Sequence, residues 1–226
     1  MTRAWQTVDA RETHDGLFEL RRRGESDFLV CLDGRILMNS RESRSEEALG
    51  VWAAEAVAER AAPRLLVAGL GMGITLRAAL DLLPADARVV VAELHPHVRA
   101  WCAGPLRGCC RDALSDPRAE VRIADVRDVI AQAAARTSPR FDAIALDLYE
   151  GVRVAPGSDA EDPFFGDAAL ARAHAALTPS GAFARWTERP DPAFERRLGR
   201  AGFRVERRRI GRGGRRHTLV LGRRRA

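Results

Sequence analysis

The chain of 226 residues contains no lysine, so its entire positive charge is arginine. It has one tyrosine, and aromatic residues make up only 6% of the whole. Four cysteines, Cys31, Cys102, Cys109 and Cys110, show no Cys-x-x-Cys or Cys/His ligand spacing. Adjacent Cys109 and Cys110 would make a poor disulfide framework, so a metal centre and an export scaffold are both disfavoured. No apolar run approaches membrane-spanning length, and the polar opening MTRAWQTVDARET does not read as an export signal. A cytoplasmic setting without membrane partners is the expectation. The net charge of +6 is unevenly spread: from Arg185 onward there are 15 arginines against 4 acids. Runs such as 207–209 and 223–225 invite a nucleic-acid reading. With no interleaved aromatic residues, a solvated strand edge and a frayed tail fit better than a nucleic-acid partner.

What is present is a strand-to-helix turn of unusual glycine content. LLVAGLGMGITLRAAL (65–80) runs from apolar strand into helix through Gly69, Gly71, Met72 and Gly73. Such a turn brings backbone close to a ligand and turns amide groups toward it. Two further apolar strands end in acids: RVVVAE (88–93) closes on Glu93 and FDAIALD (141–147) on Asp147. Ligands of open α/β sheets bind at such strand ends. Strands are expected at 64–68, 88–93, 120–124, 141–147 and 181–186, and helices at 73–83, 95–103, 126–136 and 166–177. This alternation argues for a parallel sheet. A helix at 191–201 and two strands, 203–209 and 216–221, joined by Gly211-Arg-Gly-Gly214, should close the sheet as an antiparallel edge hairpin. That ending, with Ile74 where a dinucleotide fingerprint needs its third glycine, favours a methyltransferase-type sheet over a dehydrogenase.

Residues 1–42 read as a separate antiparallel unit, with strands at 17–20, 27–32 and 35–38 and a hairpin at Asp33-Gly34. The transferase-type domain would then occupy 43–226, opening with a capping box, Ser43 and Glu46, on a helix that buries Leu49 and Trp52.

Taken together, LDGRILMNSRESRSEEAL (32–49), the glycine turn, VVVAEL (89–94), DPRAEVRIADVRDVI (116–130), FDAIALDLYEG (141–151) and LTPSGAFARW (177–186) resemble the spermidine synthase-like branch of the class I S-adenosylmethionine-dependent transferases. The resemblance implies a Rossmann-like class I methyltransferase fold: a mostly parallel seven-stranded sheet with its last strand antiparallel, behind a small N-terminal β-hairpin unit. It implies that Gly69, Gly71, Met72 and Gly73 lie under the donor's methionine-derived part. Glu93 would hold the ribose hydroxyls, Leu94 beside it is a further donor contact, and Asp125 with Val126 would read the adenine. Asp147 falls where the family has its catalytic aspartate, Glu150 where its second acid stands, and Tyr149 lies between them. Glu46 and Trp186 are candidate acceptor contacts. The pattern departs from the family at Arg44-Ser45, which stand in place of Tyr-His, and after Glu150, where Gly-Val-Arg-Val-Ala-Pro156 replaces Asp-Pro-x-Gly-Pro-Ala.

The expected donor is decarboxylated S-adenosylmethionine or S-adenosylmethionine itself, leaving methylthioadenosine or S-adenosylhomocysteine. The expected reaction is aminopropyl transfer to a small cationic amine. Methyl transfer to a small molecule is the alternative, and non-catalytic adenosyl binding the third reading. Backbone amides after Gly71, Arg77 or Arg44 would be the carboxylate partners a methyl donor needs. The resemblance also implies a homodimer. Asp125 is equally able to cap the helix at Val126. His95 and His97 suit a helix-start turn beside the adenosine better than a metal, because no third ligand is near in sequence. Met38 and Trp101 are expected in the core.

Overall fold

Continuous apolar runs from Arg64 onward build one sheet with two buried faces, in a computed structural model that describes residues 3–148, 161–211 and 217–225. Strands β5 (Arg64–Ala68), β6 (Arg88–Glu93), β7 (Ala119–Ile123) and β8 (Phe141–Leu146) are parallel neighbours, and β9 (Leu177–Thr187) joins β8 in parallel. The sheet order is β10-β11-β9-β8-β5-β6-β7, with β10 (Phe203–Ile210) and β11 (His217–Arg224) forming the antiparallel edge pair. The middle of the Gly211–Gly214 turn lies outside the described residues. Helices α2 (Ile74–Leu80), α3 (Pro96–Ala103), α4 (Val126–Ala134), α5 (Asp167–Ala176) and α6 (Pro192–Arg200) connect the strands.

Side-chain alternation assigns the faces. Leu65, Val67, Val89, Val91, Ala143, Ala145, Ala182 and Ala184 point to one core, shared with α1 (Arg44–Glu55), α2 and the N-terminal sheet. Leu66, Ala68, Val90, Ile144, Leu146 and Phe183 point to the other, shared with α4, α5 and α6. The same alternation carries Asp147 and Trp186 to the first face and Arg185 to the second. It thereby decides what stands next to each end of the site.

Three expectations need correction. The N-terminal sheet has four strands rather than three: β1 (Gln6–Thr13) precedes β2 (Gly16–Arg23), β3 (Asp27–Leu32) and β4 (Arg35–Asn39). As an edge strand, largely exposed on both faces, β1 (QTVDARET) offers no apolar alternation to read. It is fastened instead by polar contacts, the Trp101 indole donating to Asp9 at 2.7 Å. The capping box also fails, since the Ser43 side chain caps no amide. Its hydroxyl donates to Glu47 at 2.8 Å, while the Glu46 carboxylate turns inward. Finally, β9 begins at Leu177, earlier than expected, so Thr178–Gly181 stops the preceding helix from inside a strand.

Among the described residues, no helix is long and apolar enough to cross a membrane. The arginine-rich edge is engaged by the protein itself: Arg207 pairs with Glu195, and Arg208 pairs with Glu55 and lies over the Trp52 ring.

Candidate active site

A cavity of about 900 Å³ opens at the carboxyl ends of β5, β6 and β8, beneath the N-terminal sheet. The glycines of its floor do different work. Gly69, at φ +83°, would place a Cβ 2.6 Å from the Asp147 carbonyl oxygen, so a side chain there would separate β5 from β8. Gly71 would place one 3.2 Å from Met38 Sδ, and both residues line the cavity. Met38, expected in the core, therefore contributes to the wall. Gly73 and Met72, expected under the donor, do not reach the cavity. A Cβ on Gly73 would fall 2.5 Å from that of Cys110, and Met72 is buried in the first core. Their glycine and methionine serve packing behind the turn.

Glu93 organises the next wall. Its Oε2 accepts from the Leu70 amide at 2.8 Å and its Oε1 from the His95 amide at 2.8 Å. The carboxylate thus ties the glycine turn to the start of α3 and keeps further lone pairs for ribose-like hydroxyls. Leu94 is half exposed at the rim, and His95 lines the same wall. Asp125 is the N-cap of α4: its Oδ1 accepts from the Arg127 amide at 2.8 Å, and the Arg127 guanidinium holds its carboxyl below the usual range. The capping reading is correct, and Asp125 and Val126 also line the cavity.

The acidic end lies on the first face. Asp147 Oδ2 is 2.6 Å from the buried Thr75 hydroxyl, which also lies 3.1 Å from the Glu46 carbonyl oxygen. One hydroxyl proton cannot serve both acceptors. A charged Asp147 takes the Thr75 proton, which favours that form, while a protonated Asp147 donates to Thr75 and leaves the Thr75 proton for the carbonyl. Burial, reinforced by the nearby Glu46 carboxylate, pushes the Asp147 carboxyl up to about 7. Burial also raises Glu46 above its ordinary value, opposed by the Ser45 hydroxyl and His217. Glu46 stands behind Asp147 rather than on the cavity wall. Trp186 is likewise off that wall, with its ring 4.9 Å from His217. Tyr149 and Glu150 lie outside the described residues, as does Asp159 of the same loop.

The opposite end, which the sequence reading missed, is aromatic, with arginines paired to acids. Asp162 accepts from the amides of Phe164 and Phe165, folding them against the cavity. The Arg127 guanidinium lies over Phe164 at 5.5 Å and that of Arg185 over Phe165 at 3.7 Å. Arg185 also bonds Asp191, and Arg197 donates to the Phe165 carbonyl. Neither side-chain partner proposed for a donor carboxylate is suited to the task. Arg77 pairs with Asp81 and Asp116 at a separate cavity, and Arg44 is exposed and absent from the main cavity's wall. Among the described residues no cluster of His, Cys, Asp or Glu is arranged to hold a metal ion.

Strand order, glycine turn and acid-tipped strands together define a class I methyltransferase-type fold with a cleft at the carboxyl ends of its central strands. Comparison with known proteins finds the same fold in spermidine synthases. The chain superposes on spermidine synthase in complex with the transition-state analogue AdoDATO with a TM-score of 0.73 and 17% identity, covering 96% of this chain and 72% of that one. Spermidine synthase from Thermotoga maritima gives a TM-score of 0.72, again at 17% identity over 96% and 72% of the two chains. In sequence, a polyamine aminopropyltransferase from Synechococcus sp. (strain JA-3-3Ab) is 36% identical over 93 residues, which is 41% of this chain and 28% of that protein. The matched stretch therefore spans less than a third of that relative. No family profile matches the chain.

Proposed function

We propose that the protein transfers an aminopropyl group from decarboxylated S-adenosylmethionine to a small cationic amine. Residues 43–226 would hold the donor, and the unit formed by residues 1–42 would roof it. The observation that carries this reading is the division of the site by the two sheet faces. Asp147, with Glu46 behind it, puts acid on the face of the glycine turn, while at the Phe164–Phe165 end the acids Asp125 and Asp191 are paired with Arg127 and Arg185. A donor that presents an ammonium tail suits such an acidic end. One that keeps its carboxylate would meet Asp147 there, with the charge of Glu46 behind it.

The donor supplies an electrophilic carbon beside a sulfonium. The protein's part is to place the amine nitrogen in line with that carbon, an effect worth about 7–11 kcal/mol of barrier in well-oriented systems. Asp147 takes a proton from the acceptor's ammonium and frees the nitrogen lone pair. As the nitrogen–carbon bond forms, the carbon–sulfur pair leaves to sulfur and a neutral thioether departs. General base assistance of this kind contributes on the order of 10²–10⁴-fold. A carboxyl near 7 is matched to the task at neutral pH, because it accepts a proton readily and remains partly ionised.

Thermal stabilisation by methylthioadenosine and by S-adenosylhomocysteine, at equal concentration, tests the reading. A ligand at 100 times its dissociation constant adds about 2.7 kcal/mol. Methylthioadenosine should stabilise at least as well as the homocysteine product. Stabilisation by S-adenosylhomocysteine alone would assign the site to methyl transfer.

A further inference from the structure

The inward turn of Glu46 has a specific cause. Ser45, next to it on α1 and buried, has its hydroxyl 2.6 Å from Glu46 Oε2 and 2.9 Å from His217 Nδ1. Ser45 and His217 are 172 residues apart and belong to the first turn of α1 and the first residue of β11. The order of donors in this chain is fixed by valence. A carboxylate only accepts, so the single Ser45 proton goes to Glu46 and the Ser45 oxygen accepts from His217 Nδ1–H. The imidazole in turn is seated against the Trp186 ring. The indole Nε1 of Trp186 is buried with no hydrogen-bond partner among the described residues. No residue of this arm lines the cavity.

We propose that Ser45 and His217 are positioning residues which hold the Glu46 carboxylate behind Asp147, off the cavity wall, where its charge adds to that of Asp147 and favours an acceptor that carries an ammonium. The proposal rests on the reading of Asp147 and Glu46 as the amine-binding end. The Glu46 and Asp147 carboxylates repel one another, and Glu46 would relieve this by rotating outward or by taking a proton. The Ser45 hydrogen bond opposes both, since it favours the charged form and fixes its direction. The charged or titratable groups that bear on Glu46 are Glu47 on α1, Asp147 after β8 and His217 on β11, and α2 contributes the Thr75 hydroxyl.

The test is calorimetric binding of 1,4-diaminobutane to the methylthioadenosine-loaded protein, which requires no turnover. His217→Ala and Ser45→Ala should weaken diamine binding about tenfold, as expected for loss of a hydrogen bond to a charged group. The melting shift produced by methylthioadenosine should stay unchanged in both. His217→Asn, whose amide N–H can occupy the place of Nδ1–H, should recover most of the affinity. Unchanged diamine binding in His217→Ala would overturn the positioning arm while leaving the amine reading intact. So would an asparagine variant as impaired as the alanine one, or a parallel loss of the methylthioadenosine shift, since either marks a general structural role. Wild-type protein that binds methylthioadenosine but no diamine would overturn the amine reading itself, and the arm with it.

Discussion

Asp147→Asn should make the free protein more stable at alkaline pH while removing its activity. The Asp147 carboxyl rises from 3.8 to about 7 on folding. The folded state therefore holds a proton that the unfolded chain has released, and stability falls as pH rises between those two values. Above about 7 the full penalty is present. Three units at about 1.4 kcal/mol each set an upper bound near 4 kcal/mol. Sharing of the effect with Glu46 and water entry reduce this to a working figure of about 2 kcal/mol. Asparagine keeps an oxygen for the Thr75 hydroxyl and carries no charge, so it escapes the penalty. Urea unfolding of both proteins at about pH 5 and pH 8.5 should show the stability gap widening by about 1–3 kcal/mol in favour of the variant. The melting temperature at the higher pH should rise by about 4–8 °C. A gap that is flat with pH, or a variant less stable at pH 8.5, would refute the claim that this carboxyl is buried against a second one.

Thr75→Val removes the hydrogen bond that favours the charged form of Asp147, so the acid limb of the kcat/KM profile should move to higher pH; an unmoved limb would separate Thr75 from the site. Gly73→Ala should destabilise by about 2–3 kcal/mol, because φ is +74° and the new methyl meets Cys110, yet leave the affinity of surviving folded protein for methylthioadenosine intact, as calorimetry would show. Asp125→Ala should cost about 1 kcal/mol through loss of the α4 cap and also weaken methylthioadenosine binding, a pairing that unfolding and calorimetry together can read.

How much of this was legible before the structure depended on where each residue's partners lie in the chain. The strands that end at Ala68, Glu93 and Leu146 announced themselves through apolar runs closed by glycine or acid, because both faces of a central strand are buried. Strand β1 gave no such sign, being a polar edge. The glycine turn was legible as a turn, but the division of labour among its glycines was not. Cys110, which excludes a side chain from Gly73, sits in a loop 37 residues on. Ser43 and Glu46 matched a capping box in spacing, yet Ser45 and Thr75 draw Glu46 toward Asp147, and tertiary contacts outweigh a local cap. Phe164 and Phe165 read as loop residues until Asp162 folded them against the cleft. His217 carried no signal at all, since its contact with Ser45 exists only once the last strand has joined the sheet.

Product analysis by mass spectrometry, with decarboxylated S-adenosylmethionine and S-adenosylmethionine offered together beside 1,4-diaminobutane, tests the central claim most directly. The account predicts a diamine extended by one aminopropyl group, methylthioadenosine in equal amount, and no methylated amine. A methylated product with S-adenosylhomocysteine, or no product from either donor while methylthioadenosine still binds, would contradict it.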